Sequence, residues 1–174
     1  MPYNSRMTDL IKQILTSEPK GQTVEVCGWV RTKRETKNLI FIQINDGSCF
    51  ASIQATFDRE NDIYKNSEET VKLVTTGCSV KVAGALVPSP ASGQAVEIRA
   101  ERIELLGTAP VETYPLQKKH HGMEFLREIA HLRPRSNTFS AVFRVRSIVA
   151  YAIHKFFQER DYVYVHAPII TGSD

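Results

Sequence analysis

Between residues 23 and 107 apolar side chains recur at every second position in five short runs, and no other feature restricts the fold as much. Val24, Val26, Gly28 and Val30 alternate with Glu25, Cys27 and Trp29, which predicts a first strand running into a basic turn of Arg31, Lys33, Arg34 and Lys37. Ile40, Ile42 and Ile44 alternate with Phe41, Gln43 and Asn45 to give a second strand. Asp46-Gly47-Ser48 is a hairpin signal, because Gly supplies the positive φ that tight turns need. A third strand follows, with Ala51, Ile53, Ala55 and Phe57 set against Phe50, Ser52, Gln54 and Thr56. The period changes over residues 61–76, which read as a helix with Ile63, Tyr64, Val71 and Val74 inward, stopped by Gly77. Val80, Val82 and the series Val96, Ile98, Ala100 supply two last strands on either side of a Pro- and Ser-rich turn.

Five short strands with a helix between the third and fourth is the order of an OB-fold, a small barrel whose second and third strands face oligonucleotides. Another small β-barrel is the alternative on element order alone. The expected class is mainly β with α, with residues 1–107 as the barrel domain. Residues 108–136 carry Pro110 and Pro115 and no clear period, so they read as a hinge. Residues 137–174 open on a long helix to about Arg160, capped by Asn137 or Thr138. Phe139, Val142, Phe143, Val149, Ile153, Phe156 and Phe157 form its broad apolar face. Residues 162–165 are strand-like and lead to Pro168. One apolar helix and one strand are expected to need a partner sheet.

Composition excludes several function classes. The 174 residues are 42% apolar with a formal charge of +3, which rules out a disordered or disulfide-scaffold chain. That charge is too small to diagnose nucleic acid, but its distribution is uneven: seven Lys/Arg against three acids lie between Glu112 and Arg146. Cys27, Cys49 and Cys78 are odd in number and lack C-x-x-C spacing, so neither a zinc site nor a disulfide framework is expected, only small buried thiols. No apolar run approaches the roughly 18–20 residues of a membrane span. Arg6, Asp9 and Lys12 interrupt the N-terminal apolar residues, so no signal peptide is expected and the cytoplasm is the default. Trp29 reads as barrel core, and the pair His120-His121 as solvated. The sequence has no Gly-rich phosphate loop, nucleophile elbow or spaced carboxylate pair, so no catalytic residue and no metal ligand is assigned.

The second and third strands hold the one arrangement with binding chemistry. A two-residue loop of Gly47 and Ser48 would pair Asp46 with Cys49 and place Phe41 directly opposite Gln54. Ile40, Ile42, Ile44, Ala51, Ile53 and Ala55 would then face inward, leaving Phe41 and Gln54 together on the outer face. An aromatic ring stacks on an unpaired base, and an amide beside it offers a donor and an acceptor to the base edge. A Phe on a sheet face also packs under loops or neighbouring domains, and that reading stays open here.

Two longer strings carry a resemblance. Residues 28–58, G-W-V-R-T-K-R-E-T-K-N-L-I-F-I-Q-I-N-D-G-S-C-F-A-S-I-Q-A-T-F-D, resemble the anticodon-binding OB-fold of class II aminoacyl-tRNA synthetases of the aspartate, asparagine and lysine subgroup. The segment H-L-R-P-R-S-N-T-F-S-A-V-F-R-V-R from His131 resembles that subgroup's asparagine branch, and F-F-Q-E-R-D-Y-V-Y-V-H-A-P-I-I resembles class II motif 1. The resemblance implies that Phe41 stacks on the central anticodon base, a U, and that Gln54 hydrogen-bonds it. It implies that Arg34 contacts the anticodon loop and that Glu97 lies near the first anticodon base. Phe156, Phe157 and Pro168 match a homodimer interface, and tRNA(Asn) is the implied partner. The implied whole enzyme, an asparagine–tRNA ligase, uses ATP and Mg²⁺ through an asparaginyl-adenylate. The F-R-x-E core of motif 2 and the Gly-rich Arg stretch of motif 3 are absent from these residues, so this segment alone is expected to be inactive, with neither cofactor bound. Alternatives are the aspartate branch and a stand-alone tRNA- or single-stranded-RNA-binding module.

Overall fold

The computed structural model describes residues 8–91, 93–166 and 172. The chain divides into two compact units, Met1–Gly122 and Met123–Asp174. In the first, a short helix α1 (Ile11–Ile14) precedes β1 (Thr23–Glu35), β2 (Leu39–Asn45) and β3 (Ile53–Asp58). Helix α2 (Asp62–Leu73), β4 (Ser79–Pro88) and β5 (Val96–Gly107) follow. The strands close into a barrel in the order β1-β2-β3-β5-β4, antiparallel throughout except where β3 meets β5 in parallel. That parallel joint is registered over two pairs only, Ala55 with Ile98 and Thr56 with Arg99. This is the element order and closure of an OB-fold.

Alternation builds the interior. Val26, Val30, Ile40, Ile42, Ile44, Ile53, Phe57 and Ile98 are almost completely buried in one cluster. Strand β5 crosses Gly84 so closely that a Cβ there would collide with the Arg99 carbonyl oxygen, which explains a glycine inside β4. Ile11 and Ile14 of α1 join the core, a contribution too short to carry a period. Helix α1 is tied down by the Ile11 N–H donating to Asp46 Oδ2 at 2.9 Å and the Lys12 N–H to Ser48 Oγ at 3.0 Å. Beyond β5, Ala109 is buried and the Thr75 hydroxyl donates to its carbonyl at 2.6 Å, so the segment read as hinge starts docked on the barrel unit.

Several expectations are corrected. The β2–β3 register pairs Phe41 with Thr56 and Gln43 with Gln54, a slip of two residues from the predicted pairing. The cause is the connection: residues 46–52 form a seven-residue loop rather than a two-residue turn. Asn45 Nδ2 donates to the Ala51 carbonyl at 2.7 Å and Asp46 Oδ1 accepts from the Ser48 N–H at 2.9 Å, which builds a wider turn around Gly47 at φ 83°. A slip of two preserves the faces, so Ile40, Ile42, Ile44, Ile53 and Ala55 remain inward, while Ala51 is exposed in the loop. Trp29 is 41% exposed rather than core, because Val24, Val26 and Val30 take the inward parity. Arg31, Lys33 and Arg34 lie within β1, not in a turn. Cys78 is buried, but Cys27 and Cys49 are only partly so. Helix α2 ends at Leu73, short of 76, with Tyr64, Val71 and Val74 buried; the side chain of Ile63 lies outside the described residues.

The second unit contains α3 (Met123–Glu128), a 3-10 turn (Arg133–Arg135) and α4 (Asn137–Gln158). Ser136, with extended backbone, caps α4: its hydroxyl oxygen accepts from the Phe139 N–H at 3.4 Å, in place of the predicted Asn137 or Thr138. The Arg133 guanidinium lies 5.1 Å from the Phe139 ring centroid and 5.5 Å from that of Phe143, holding the 3-10 turn against the helix. Residues 162–166 have no regular structure, in contrast to the predicted strand; among the described residues no strand lies beside them, and a lone strand leaves its backbone groups to water. Pro168 lies outside the described residues. Among those described, no helix is long and apolar enough to cross a membrane.

Candidate nucleic-acid interface

The outer face of β1, β2, β3 and β5 gathers the polar residues that the barrel interior excludes. Arg34 is registered with Phe41 across β1–β2, and Phe41 with Thr56 across β2–β3. Gln54 is therefore diagonal to Phe41 rather than opposite it, still within reach for long side chains. The Arg34 guanidinium carbon is 5.6 Å from the Phe41 ring centroid, and its Nη2 donates to Gln54 Oε1 at 3.4 Å. From the other end of the amide, Gln54 Nε2 donates to Glu97 Oε2 at 3.1 Å. The four residues predicted from the sequence, Arg34, Phe41, Gln54 and Glu97, thus lie in one connected cluster.

Burial in this cluster exceeds what alternation predicts. Gln54 and Glu97 are 4% and 7% exposed although they belong to the outer parity. The cover comes partly from the β4–β5 connection. Ser89 Oγ donates to Glu97 Oε2 at 3.0 Å, and Gln94 Nε2 reaches both that oxygen at 3.2 Å and Ser89 Oγ at 2.7 Å. A buried carboxylate needs such donors to remain tolerable. Thr56 is buried as well, and its hydroxyl has no hydrogen-bond partner. Parity alone places Thr56 on the Gln54 face, so sequence reasoning could have found it; Ser89 and Gln94 sit in a turn with no periodic signal.

The basic residues divide by role. Lys33 Nζ donates to the Val71 carbonyl at 2.7 Å and pairs with Glu35 at 3.1 Å, so it fastens α2 to β1. The Lys33 ammonium, helped by Arg59, holds the Glu35 carboxyl below its usual range. Arg34 and Lys37 are exposed and able to meet phosphate. No group of three His, Cys, Asp or Glu among the described residues could hold a metal ion. Phe156 and Phe157 lie in the other unit, edge to face at 5.4 Å; Arg160 stacks over Phe156 at 3.8 Å and Tyr162 against Phe157 at 5.4 Å.

An aromatic ring, a fixed amide and cations on an OB barrel face define a class, and residues 24–106 match the family model described as an OB-fold nucleic acid binding domain. The chain is similar to asparagine–tRNA ligases over nearly its whole length. It is 68% identical to the asparagine–tRNA ligase of Treponema denticola over 168 residues, which is 97% of this chain and 36% of that protein. Identity to the ligase of Parabacteroides distasonis is 55% over 164 residues, 94% of this chain and 34% of that protein. The asparaginyl-tRNA synthetase of Pyrococcus horikoshii, solved with asparaginyl-adenylate, matches in fold with a TM-score of 0.79 at 21% identity, covering 95% of this chain and 37% of that one. The chain thus spans little more than a third of the length of the relatives it matches.

Proposed function

We propose that this chain supplies the anticodon-reading portion of an asparagine–tRNA ligase acting on tRNA(Asn) in the cytoplasm. The observation that carries the reading is the cluster of Arg34, Phe41, Gln54 and Glu97 on one face of the barrel. Phe41 stacks on the central U of the anticodon, Gln54 hydrogen-bonds its edge and Arg34 contacts the anticodon loop. Glu97 lies near the first anticodon base. The names of the relatives favour this over the aspartate branch and over a stand-alone RNA-binding module. In the whole ligase, ATP and Mg²⁺ would activate asparagine as an adenylate; the described residues provide no cluster fit to hold the metal. Homodimerisation rests on Phe156, Phe157 and Pro168, the first two carried half-exposed by α4.

Fluorescence anisotropy with the tRNA(Asn) anticodon stem-loop tests the reading. Phe41→Ala is expected to weaken binding by about 1–3 kcal/mol, one stacked base. Equal affinity of variant and wild type removes Phe41 from that role.

A further inference from the structure

Gln54 is held from both ends by groups that each tolerate only one orientation of its amide. A guanidinium is a donor with no acceptor, and an ionised carboxylate is an acceptor with no donor. Arg34 Nη2 therefore demands Oε1, and Glu97 Oε2 demands Nε2, as the 3.4 Å and 3.1 Å contacts show. Turning the amide over would aim its oxygen at the carboxylate and its N–H groups at the guanidinium. Glu97 cannot yield easily, because Ser89 Oγ and Gln94 Nε2 converge on the same oxygen that Gln54 uses. These contacts leave one N–H and one carbonyl lone pair of Gln54 uncommitted.

The distinction between the two pyrimidines lies in that orientation. Uracil presents N3–H as a donor beside a carbonyl acceptor, whereas cytosine presents N3 as an acceptor beside an amino donor. A glutamine free to flip reads either one equally well. We infer that Glu97, with Arg34 opposite it, is a positioning residue that fixes the Gln54 amide and thereby makes the site select uracil over cytosine. This rests on the anticodon reading above and gives Glu97, beside its place near the first anticodon base, a second task that it performs through Gln54.

The test uses the full chain and stem-loops that carry U, C, A or G at the central anticodon position. Wild type is expected to prefer U over C by roughly 10- to 100-fold, the discrimination of one bidentate contact. Glu97→Gln, whose amide can serve as donor or acceptor, is expected to bring that ratio to within about 3-fold, with smaller losses against A and G. Gln94→Leu removes one anchor of Glu97 and is expected to give an intermediate ratio; it serves if Glu97→Gln does not fold. Side-chain NMR of the RNA-free protein reads the lock directly: the Gln54 Nε2 protons should be resolved and protected from exchange in wild type and lose protection in Glu97→Gln. A folded Glu97→Gln with an unchanged U/C ratio overturns the positioning role, as does unchanged amide protection. Wild type that shows no preference for U overturns the anticodon reading itself, and the positioning role with it.

Discussion

The barrel and helix α4 are both rich in apolar residues, yet they dispose of them in opposite ways. In the barrel, Ile40, Ile42, Ile44 and Ile53 are sealed, because five strands and two helices share one interior. Along α4, Val142, Val149, Ile153, Phe156 and Phe157 remain about half exposed, and Phe139 is the residue there that is buried. A closed barrel has no edge and needs no outside partner to hide its apolar face. A single helix buries its stripe only against something else. Hydrophobic content alone thus does not say where stability resides.

The largest effect should come from truncating equivalent side chains in the two regions. Ile42→Ala is expected to cost about 2–5 kcal/mol in denaturant unfolding, the range for emptying a packed core site. Val149→Ala should change stability by no more than about 0.5 kcal/mol, as for an ordinary surface position. Comparable losses at both sites would erase the contrast. A second measurement, acid unfolding, should act on the barrel more than on α4. Burial pushes the Asp46 carboxyl up, but the Ser48 hydroxyl and the Ile11 and Ser48 N–H groups outweigh it, so its net position is below the usual value. A carboxyl lowered by folding contributes stability above its unfolded pKa, about 3.9, and that contribution is lost as pH falls through the folded value. Glu25, lowered by Lys81 and then Arg102, and Glu35 act in the same direction. Asp46→Asn is expected to flatten the acid limb of the stability curve, and an unchanged limb would exclude Asp46 as a contributor. The ion pair of α4, Lys155 with Glu159 at 3.6 Å, is solvent-exposed and should contribute little to that limb.

How much of this was legible beforehand follows the same division. Alternation gave the strand faces, because side chains in a strand repeat every two residues whatever the loops do. It could not give the β2–β3 register, which depends on Asn45 and Asp46 side chains bonding to loop backbone. It placed Gln54 outward, and the inward parity of Val96 and Ile98 does the same for Glu97, but neither could be shown buried: Arg34 is remote from Gln54 in sequence, and Ser89 and Gln94 belong to a turn without a period. Ser136 was missed as the α4 cap because Asn137 and Thr138, next to it, are equally good capping residues by type. Helix α1 was missed because four residues carry no measurable period.

A small gain is expected on the outer face of β3, beside Gln54. Thr56→Val replaces a buried hydroxyl that has no partner with a methyl of similar shape, so stability should rise by up to about 1 kcal/mol in thermal unfolding. A fall instead would show that the hydroxyl is satisfied in solution.

The narrow parallel joint between β3 and β5 has a consequence for recognition. Gln54 belongs to β3 and Glu97 to β5, so their hydrogen bond is a rivet across the shortest joint in the ring of staves. Any breathing that parts those two staves also releases the amide, and any base that grips the amide resists the parting. In the proposed function, gripping a base and keeping the hoop shut are, at this joint, the same mechanical act.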